Sequence, residues 1–309
     1  RVPEPEPWRI SGPDPQRTNQ GRQIAAAFSP MNSLPIGVFD SGIGGLTVVN
    51  AIQEHLPNED IVYVGDTARV PYGSRSPGTV IDYATQIATY LEHLGVKEIL
   101  IACNTASAVA LEAVAARTSL PVSGVIIPGA EAALELSDSA PIGVIATRAT
   151  ITSDAYRNAI QDLNPAAEVV SVSTPLLVPL IEEDCMDEPF TPDILQHYFE
   201  PTRLHACDTL ILGCTHYPLL ADQIAGAFGK PVVDTPTATA LTLAESLDRR
   251  GARNGSDKAG SLSVLLTDDA DRSLGIVSRR LGVRVTETRR IDLSELAAPE
   301  TRPPESPSS

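Results

Sequence analysis

Two stretches of this chain set a thiol where a buried strand runs out: EILIACNTASAVA at 98–110 and DTLILGCTHYPLL at 208–220. In the first, Ile99, Leu100 and Ile101 read as an interior strand of a parallel sheet, and Asn104, Thr105 and Ser107 offer side chains able to cap the helix that follows. Ligands of open α/β sheets collect beyond the carboxyl ends of the strands, so Cys103 is expected to face that crevice. A lone cysteine there would most simply be a small buried hydrophobe. The second copy, with Cys214 at the same strand end, changes the reading. One thiol on each side of a bound molecule is what inverting a carbon centre by proton exchange requires. A thiolate removes the proton from one face, a thiol returns one to the other, and the roles swap for the opposite enantiomer.

The elements that must position these thiols repeat as well. Ile36-Gly37-Val38 opens one half and Ile142-Gly143-Val144 the other. VYVGDT (62–67), Val70-Pro71 and Cys103 follow in the first half; VVSVST (169–174), Val178-Pro179 and Cys214 follow in the second. Counted from the isoleucine that opens each half, the valine of the VP pair lies 34 and 36 residues on, and the cysteine 67 and 72. This is internal duplication of a βαβ-type unit. The expected fold is therefore α/β, with two similar parallel-sheet domains related by a pseudo-twofold axis and the site in the cleft between them.

Other candidates surround the thiols. The strand PIGVF (35–39) breaks into DSGIGG (40–45) before the helix LTVVNAIQEHL (46–56). That loop lacks the third glycine of a dinucleotide fingerprint and the Gly-Lys-Ser/Thr of a P-loop. Its glycines instead let the backbone approach a small anion at the helix N-terminus, with Asp40 and Ser41 pointing into the cleft; a plain N-cap is the alternative for Asp40. Pro71-Tyr72-Gly73 makes a tight turn whose N–H groups suit a carboxylate, with a purely structural turn as the alternative. In the second half Thr147 and Thr150 stand where Asp40 to Ile43 stand in the first, so hydroxyls replace an acid. Glu182 belongs to a short charge run just past the second VP pair and is a candidate partner for a base. His216, ahead of a helix expected to open at Pro218, reads as an acid/base neighbour of Cys214. The stretch VSGVIIPGAEAAL (122–134) reads as a strand leading into the second half.

A zinc site built from His205, Cys207, Cys214 and His216 is not expected. An extended segment would hold the two sulfurs roughly 23 Å apart, against thiolate bonds of about 2.3 Å. Neither a pyridoxal-lysine nor a metal motif is evident, so the chemistry is expected to need no cofactor.

Composition narrows the classes further. The chain has 309 residues, enough for two domains, and carries 39 acidic against 23 basic residues, a net charge of −16. Such a surface argues against nucleic acid and anionic membrane as partners. No apolar run approaches a membrane span and the short AAAF patch does not make a secretory core, so cytoplasmic residence is expected. Four cysteines in a chain this long suggest free thiols rather than a disulfide framework. Residues 1–33, polar and Pro-rich, are expected to be disordered or loosely attached, with Met31 an alternative start; the tail 297–309 is expected to be unstructured.

Taken together, DSGIGGLTVV, GDTARVPYGSRS, ACNTAS, the IGVIAT…TI…AY run and LGCTHYPLL closely resemble the cofactor-independent aspartate/glutamate racemase family, over about residues 35–296. Ala146 and Ala149 depart from a family pattern that more often has glycine. The resemblance implies two α/β domains, a discontinuous one at 34–128 and 238–296 and a second at 129–237. It also implies interconversion of L- and D-glutamate, supplying D-glutamate for bacterial peptidoglycan. By it, Cys103 and Cys214 are the acid/base pair, assisted by Asp40 on one side and by Glu182 and His216 on the other. Asp40, Ser41, Pro71, Tyr72, Gly73, Asn104, Thr105, Thr215 and His216 would contact glutamate, as would Thr147 and Thr150. The oligomeric state is open, a homodimer being one option. Two rivals stand beside this reading: an aspartate racemase or related two-cysteine isomerase, and an amidase-type hydrolase using one cysteine as nucleophile.

Overall fold

Val38 and Phe39, Leu100 and Ile101, Val144 and Ile145, and Ile211 and Leu212 are all 2% exposed or less, and each pair sits in a strand covered on both faces. Strands so covered read as unbroken apolar runs and belong to parallel sheets. In a computed structural model describing residues 31–297 apart from 138, 139 and 201, they build two such sheets. The extensions expected at 1–33 and 297–309 lie outside the described residues except for 31–33, a 3₁₀ turn, and Ala297.

The first sheet has six parallel strands in the order β10-β9-β2-β1-β3-β4. They are β1 (Ile36–Asp40), β2 (Ile61–Gly65), β3 (Glu98–Ile101), β4 (Val122–Gly124), β9 (Leu262–Leu266) and β10 (Glu287–Arg290). The second has four, in the order β6-β5-β7-β8: β5 (Ile142–Ala146), β6 (Val169–Ser173), β7 (Thr209–Gly213) and β8 (Val232–Val233). The order β2-β1-β3-β4 is repeated as β6-β5-β7-β8, which is the duplication written in topology. In both, the chain leaves the opening strand to one side and later returns to the other. The strand order reverses between β1 and β3, and again between β5 and β7, and such a switch point opens a crevice at the strand ends. Asp40-Ser41 and Cys103 flank the first crevice; Thr147 and Cys214 flank the second.

The two halves do not pack as separate bodies. One apolar cluster runs from Val38, Tyr63 and Leu100 of the first sheet through Leu46, Val49 and Ile52 to Leu210, Leu212 and Tyr217 of the second half. The outer face of each sheet has its own core: Phe39, Val64 and Ile101 under helices Pro77–His93 and Asn104–Ala115, and Val144 and Ile211 under helices Ile126–Leu136 and Ala155–Leu163.

Three local expectations are corrected. The run 122–134 forms a strand only to Gly124 and then the helix Ile126–Leu136, because Pro128 falls in the first turn, where its missing N–H costs no hydrogen bond. Pro218 is the second residue of a four-residue 3₁₀ turn, Tyr217–Leu220, and the α-helix begins only at Ala221. The helix after Cys103 is capped by Cys103 itself, whose Sγ accepts the Ala106 N–H at 3.5 Å, rather than by Asn104, Thr105 or Ser107. This frees Asn104 and Thr105 for other contacts.

Candidate functional site

Both cysteines line one cavity of about 320 Å³ where the two crevices meet. Cys103 arrives from β3 and Cys214 from β7, each buried except for its cavity face, at 5% and 6% exposure. Ser41, Pro71, Tyr72, Gly73, Asn104, Thr105, Thr147, Glu182, Thr215 and His216 share the wall with them. Asp40 and Thr150 do not. Asp40 is fully buried behind the wall, where Oδ2 accepts the Gly42 N–H at 3.0 Å and Oδ1 accepts the Thr215 hydroxyl at 3.3 Å, so it forms a turn and a bridge between the halves instead of a helix cap. Thr150 stands behind Thr147 and Thr105, and the three hydroxyls lie 3.0–3.1 Å apart.

The walls are held by bonds that cross between the halves or between distant segments. The Tyr156 hydroxyl donates to Asn104 Oδ1 at 2.6 Å, and the Thr47 hydroxyl donates to the Thr215 carbonyl at 3.0 Å. Gly44 is required for the same approach, since a Cβ there would stand 2.6 Å from both His216 Nδ1 and Thr215 Oγ1. The turn at Tyr72 is anchored from below, where its hydroxyl donates to Asp66. The other oxygen of Asp66 accepts the hydroxyl of Thr267, just past β9, at 3.0 Å. Asp66 and Thr267 carry no chemistry of their own in this arrangement; they fix a wall.

Sequence reasoning missed Val70, Ser74, Arg148, Pro175, Val178 and Pro179, all of which line the cavity. The repeated VP pair was a usable signal for three of them, although Val70-Pro71 lies in a loop and Val178-Pro179 lies within the helix Leu177–Glu182. Arg148 sits between the two threonines already singled out.

A family model described as Asp/Glu/Hydantoin racemase matches residues 36–243, the span that contains both thiols and every lining residue. The chain belongs to the Asp/Glu/Hydantoin racemase family. Among relatives of this family, a glutamate racemase of Geobacter metallireducens is 43% identical over 260 residues, 84% of this chain and 96% of its own. A solved glutamate racemase of Francisella tularensis in complex with D-glutamate has a TM-score of 0.79 at 36% identity, covering 85% of this chain and 98% of its own. That of Thermus thermophilus in complex with beta-chloro-D-alanine has a TM-score of 0.76 at 40% identity, covering 85% and 99%.

In this member of the Asp/Glu/Hydantoin racemase family the two thiols have unequal surroundings. Burial pushes the Cys103 thiol up to about 12 and the Asp40 charge adds to the rise, while the Ala106 N–H and Ser41 offset only part of it. A helix N-terminus by itself would favour the thiolate; here desolvation and a neighbouring carboxylate win, so Cys103 holds its proton. Cys214 faces an imidazole instead: its Sγ is 3.9 Å from His216 Nδ1, and His216 Nε2 is 3.2 Å from Glu182 Oε1, near enough for an ion pair but out of line for a hydrogen bond. Burial works against the imidazolium, but the hydrogen bond with Cys214 and the charges of Cys214 and Glu182 outweigh it and raise His216 from 6.5 to about 10.

That shift makes stability pH-dependent with a definite sign. The unfolded imidazole loses its proton near 6.5 whereas the folded one keeps it to about 10, so the folded state binds the extra proton across that window. The stability involved is complete below the lower value and is lost as pH rises through the upper one. Thermal unfolding followed by circular dichroism is expected to show a melting temperature that falls between neutral pH and pH 10, and His216→Asn is expected to flatten this part of the curve. An unchanged slope in the variant would remove His216 as its cause.

Proposed function

We propose that the chain is a glutamate racemase that interconverts L- and D-glutamate without a cofactor and supplies D-glutamate for peptidoglycan. The observation that carries this reading is a single cavity lined by two thiols that arrive from equivalent strand ends of a duplicated fold. A one-cysteine hydrolase would give the second thiol no task.

In the proposed mechanism substrate enters with Cα between the sulfurs. One sulfur, as thiolate, takes the Cα proton, and the other, as thiol, delivers a proton to the opposite face. On the Cys214 side His216 is the group that receives and returns the sulfur's proton, steadied by Glu182. On the Cys103 side Asp40 supplies a buried negative charge that holds the thiol protonated until the substrate ammonium enters. The carbanion formed between the two steps is strongly basic. Its charge is spread into the α-carboxylate, for which Ser41, Asn104, Thr105 and Thr215 offer neutral donors. The Thr147 hydroxyl and the Tyr72-Gly73 turn complete the wall, with Thr150 behind it.

We place residues 34–128 and 238–296 in one domain and 129–237 in the other, with the crossings adjusted to Val125 and Asp234. Supporting this are the pairing of β9 with β2 and the positions of helices Ile126–Leu136 and Thr235–Arg249, whose hydrogen-bond ladders a boundary at 128 or 238 would cut. Among the described residues no helix is long and apolar enough to cross a membrane, which together with the strong acidity supports a cytoplasmic site of action.

Incubation with L-glutamate in D₂O, with no cofactor added, tests the reading. D-glutamate carrying deuterium at Cα is the expected product. Failure to form it, with no deuterium entering Cα of either enantiomer, would refute the assignment.

A further inference from the structure

The IGVIAT…TI…AY run of the second half closes on a tyrosine to which the mechanism above gives no task. Tyr156 lies in the helix Ala155–Leu163 and is 2% exposed. Its hydroxyl crosses to the first half, where it donates to Asn104 Oδ1 at 2.6 Å. Its ring fills a slot that two glycines keep open: a Cβ at Gly213 would stand 3.1 Å from Cε2, and one at Gly129 would stand 3.2 Å from Cε1. Gly213 immediately precedes Cys214, and Asn104 immediately follows Cys103. One buried side chain is therefore in contact with the turns that carry both thiols.

The bond decides which way the Asn104 amide points. An amide side chain carries an acceptor at one end and donors at the other, and either end fits the same space. Burial, with the Cys214 charge adding to it, holds the Tyr156 phenol far above its ordinary value, so it keeps its proton and donates. The oxygen of Asn104 is thereby turned to Tyr156. Asn104 Nδ2 has no hydrogen bond among the described residues and is not sealed from solvent, so it opens onto the cavity that Asn104 lines. Reversed, the amide would aim its oxygen at the α-carboxylate, and the two would repel.

We infer that Tyr156 is a positioning residue for racemisation, fixing the Asn104 amide so that its N–H groups, and not its oxygen, meet the α-carboxylate of the substrate. This rests on the racemase reading proposed above and adds to it how one α-carboxylate donor is oriented before substrate arrives. Charge on that carboxylate grows as the carbanion forms, so a donor already in place acts more on the barrier than on binding.

Steady-state kinetics with L-glutamate test it, using the wild-type chain, Tyr156→Phe, Asn104→Ala, the double variant of these two, Asn104→Asp and, as a control, Tyr90→Phe. Phenylalanine keeps the ring in its slot and removes only the hydroxyl; circular dichroism checks the fold of each variant. Tyr156→Phe is expected to lower kcat about tenfold with KM within about threefold, and Asn104→Ala to lower kcat about 100-fold. In the double variant the loss of the hydroxyl is expected to add nothing to the loss of the amide, because Tyr156 acts through it. Asn104→Asp tests the same point with Tyr156 untouched: it keeps an acceptor for the phenol but presents oxygen to the α-carboxylate, and is expected to lose at least as much as Asn104→Ala. Tyr90, whose hydroxyl accepts from Arg289 at 2.9 Å, lies outside the cavity lining, and its variant is expected to match wild type. Wild-type kcat in Tyr156→Phe or Asn104→Asp, a change in KM alone, losses that multiply in the double variant, or an equal loss in Tyr90→Phe would each overturn the assignment. Absence of turnover in the wild-type chain would instead strike the racemase reading itself, and this inference with it.

Discussion

Cys103→Ser and Cys214→Ser are each expected to lower glutamate racemisation by about 10³-fold, toward the upper part of the range for losing a general acid or base. A serine hydroxyl is close in shape but far too weak an acid to ionise in a cavity that already resists a thiolate at Cys103. The two losses should be similar in size although the surroundings differ, because turnover in either direction uses one sulfur as base and the other as acid. Configuration provides the sharper readout. A surviving sulfur meets hydrogen only on its own face, so any residual exchange in D₂O should retain configuration, with deuterium entering one enantiomer without formation of the other. Optical rotation and proton NMR on the same samples separate the two. Full inversion by either variant would mean that one thiol suffices, as the hydrolase-type reading requires.

The second large effect concerns stability. Lys97 is 2% exposed, and its ammonium donates to Glu59, to the Asn32 carbonyl at 3.0 Å and to the Ala252 carbonyl at 2.9 Å. Glu59 also accepts the Asn254 N–H at 2.8 Å. Lys97→Met strips a buried carboxylate of its countercharge and is expected to cost about 3–5 kcal/mol, read from the midpoint of urea unfolding. The double variant Lys97→Met, Glu59→Leu should recover much of that loss, since removing both charges also removes the cost of burying them. A single variant as stable as wild type would show that the pair contributes nothing. The site would feel the loss indirectly. Residues 252–254 lead into β9, and Thr267 beyond β9 supports Asp66 and, through it, Tyr72 at the cavity wall.

Much of this could be read from residue order. Buried parallel strands announce themselves as apolar runs because both faces must be covered, and the interval from each opening Ile-Gly-Val to its cysteine survives duplication because it spans a whole βαβ unit. The type of chemistry followed from residue type: a thiol at a strand end is suited to moving a proton, and two of them are suited to inverting a centre. Where the reading failed, the cause lay in contacts between residues far apart in the chain. Asp40 was expected in the cleft, but the Gly42 N–H and the Thr215 hydroxyl, the latter 175 residues away, draw its oxygens behind the wall. A helix N-terminus by itself favours a thiolate at Cys103, but burial and Asp40 reverse the balance.

Sequence alone determined the duplicated α/β pattern, the two thiols at matching strand ends and the hydroxyl-rich segments beside them, because these depend on local hydrophobic period and residue identity. Only the tertiary structure decided that both thiols share one cavity and that Tyr72 is braced, through Asp66, by Thr267 just past a strand far downstream. Proton affinity and recognition depend on desolvation and on charges brought close in space, and neither is a property of neighbours along the chain.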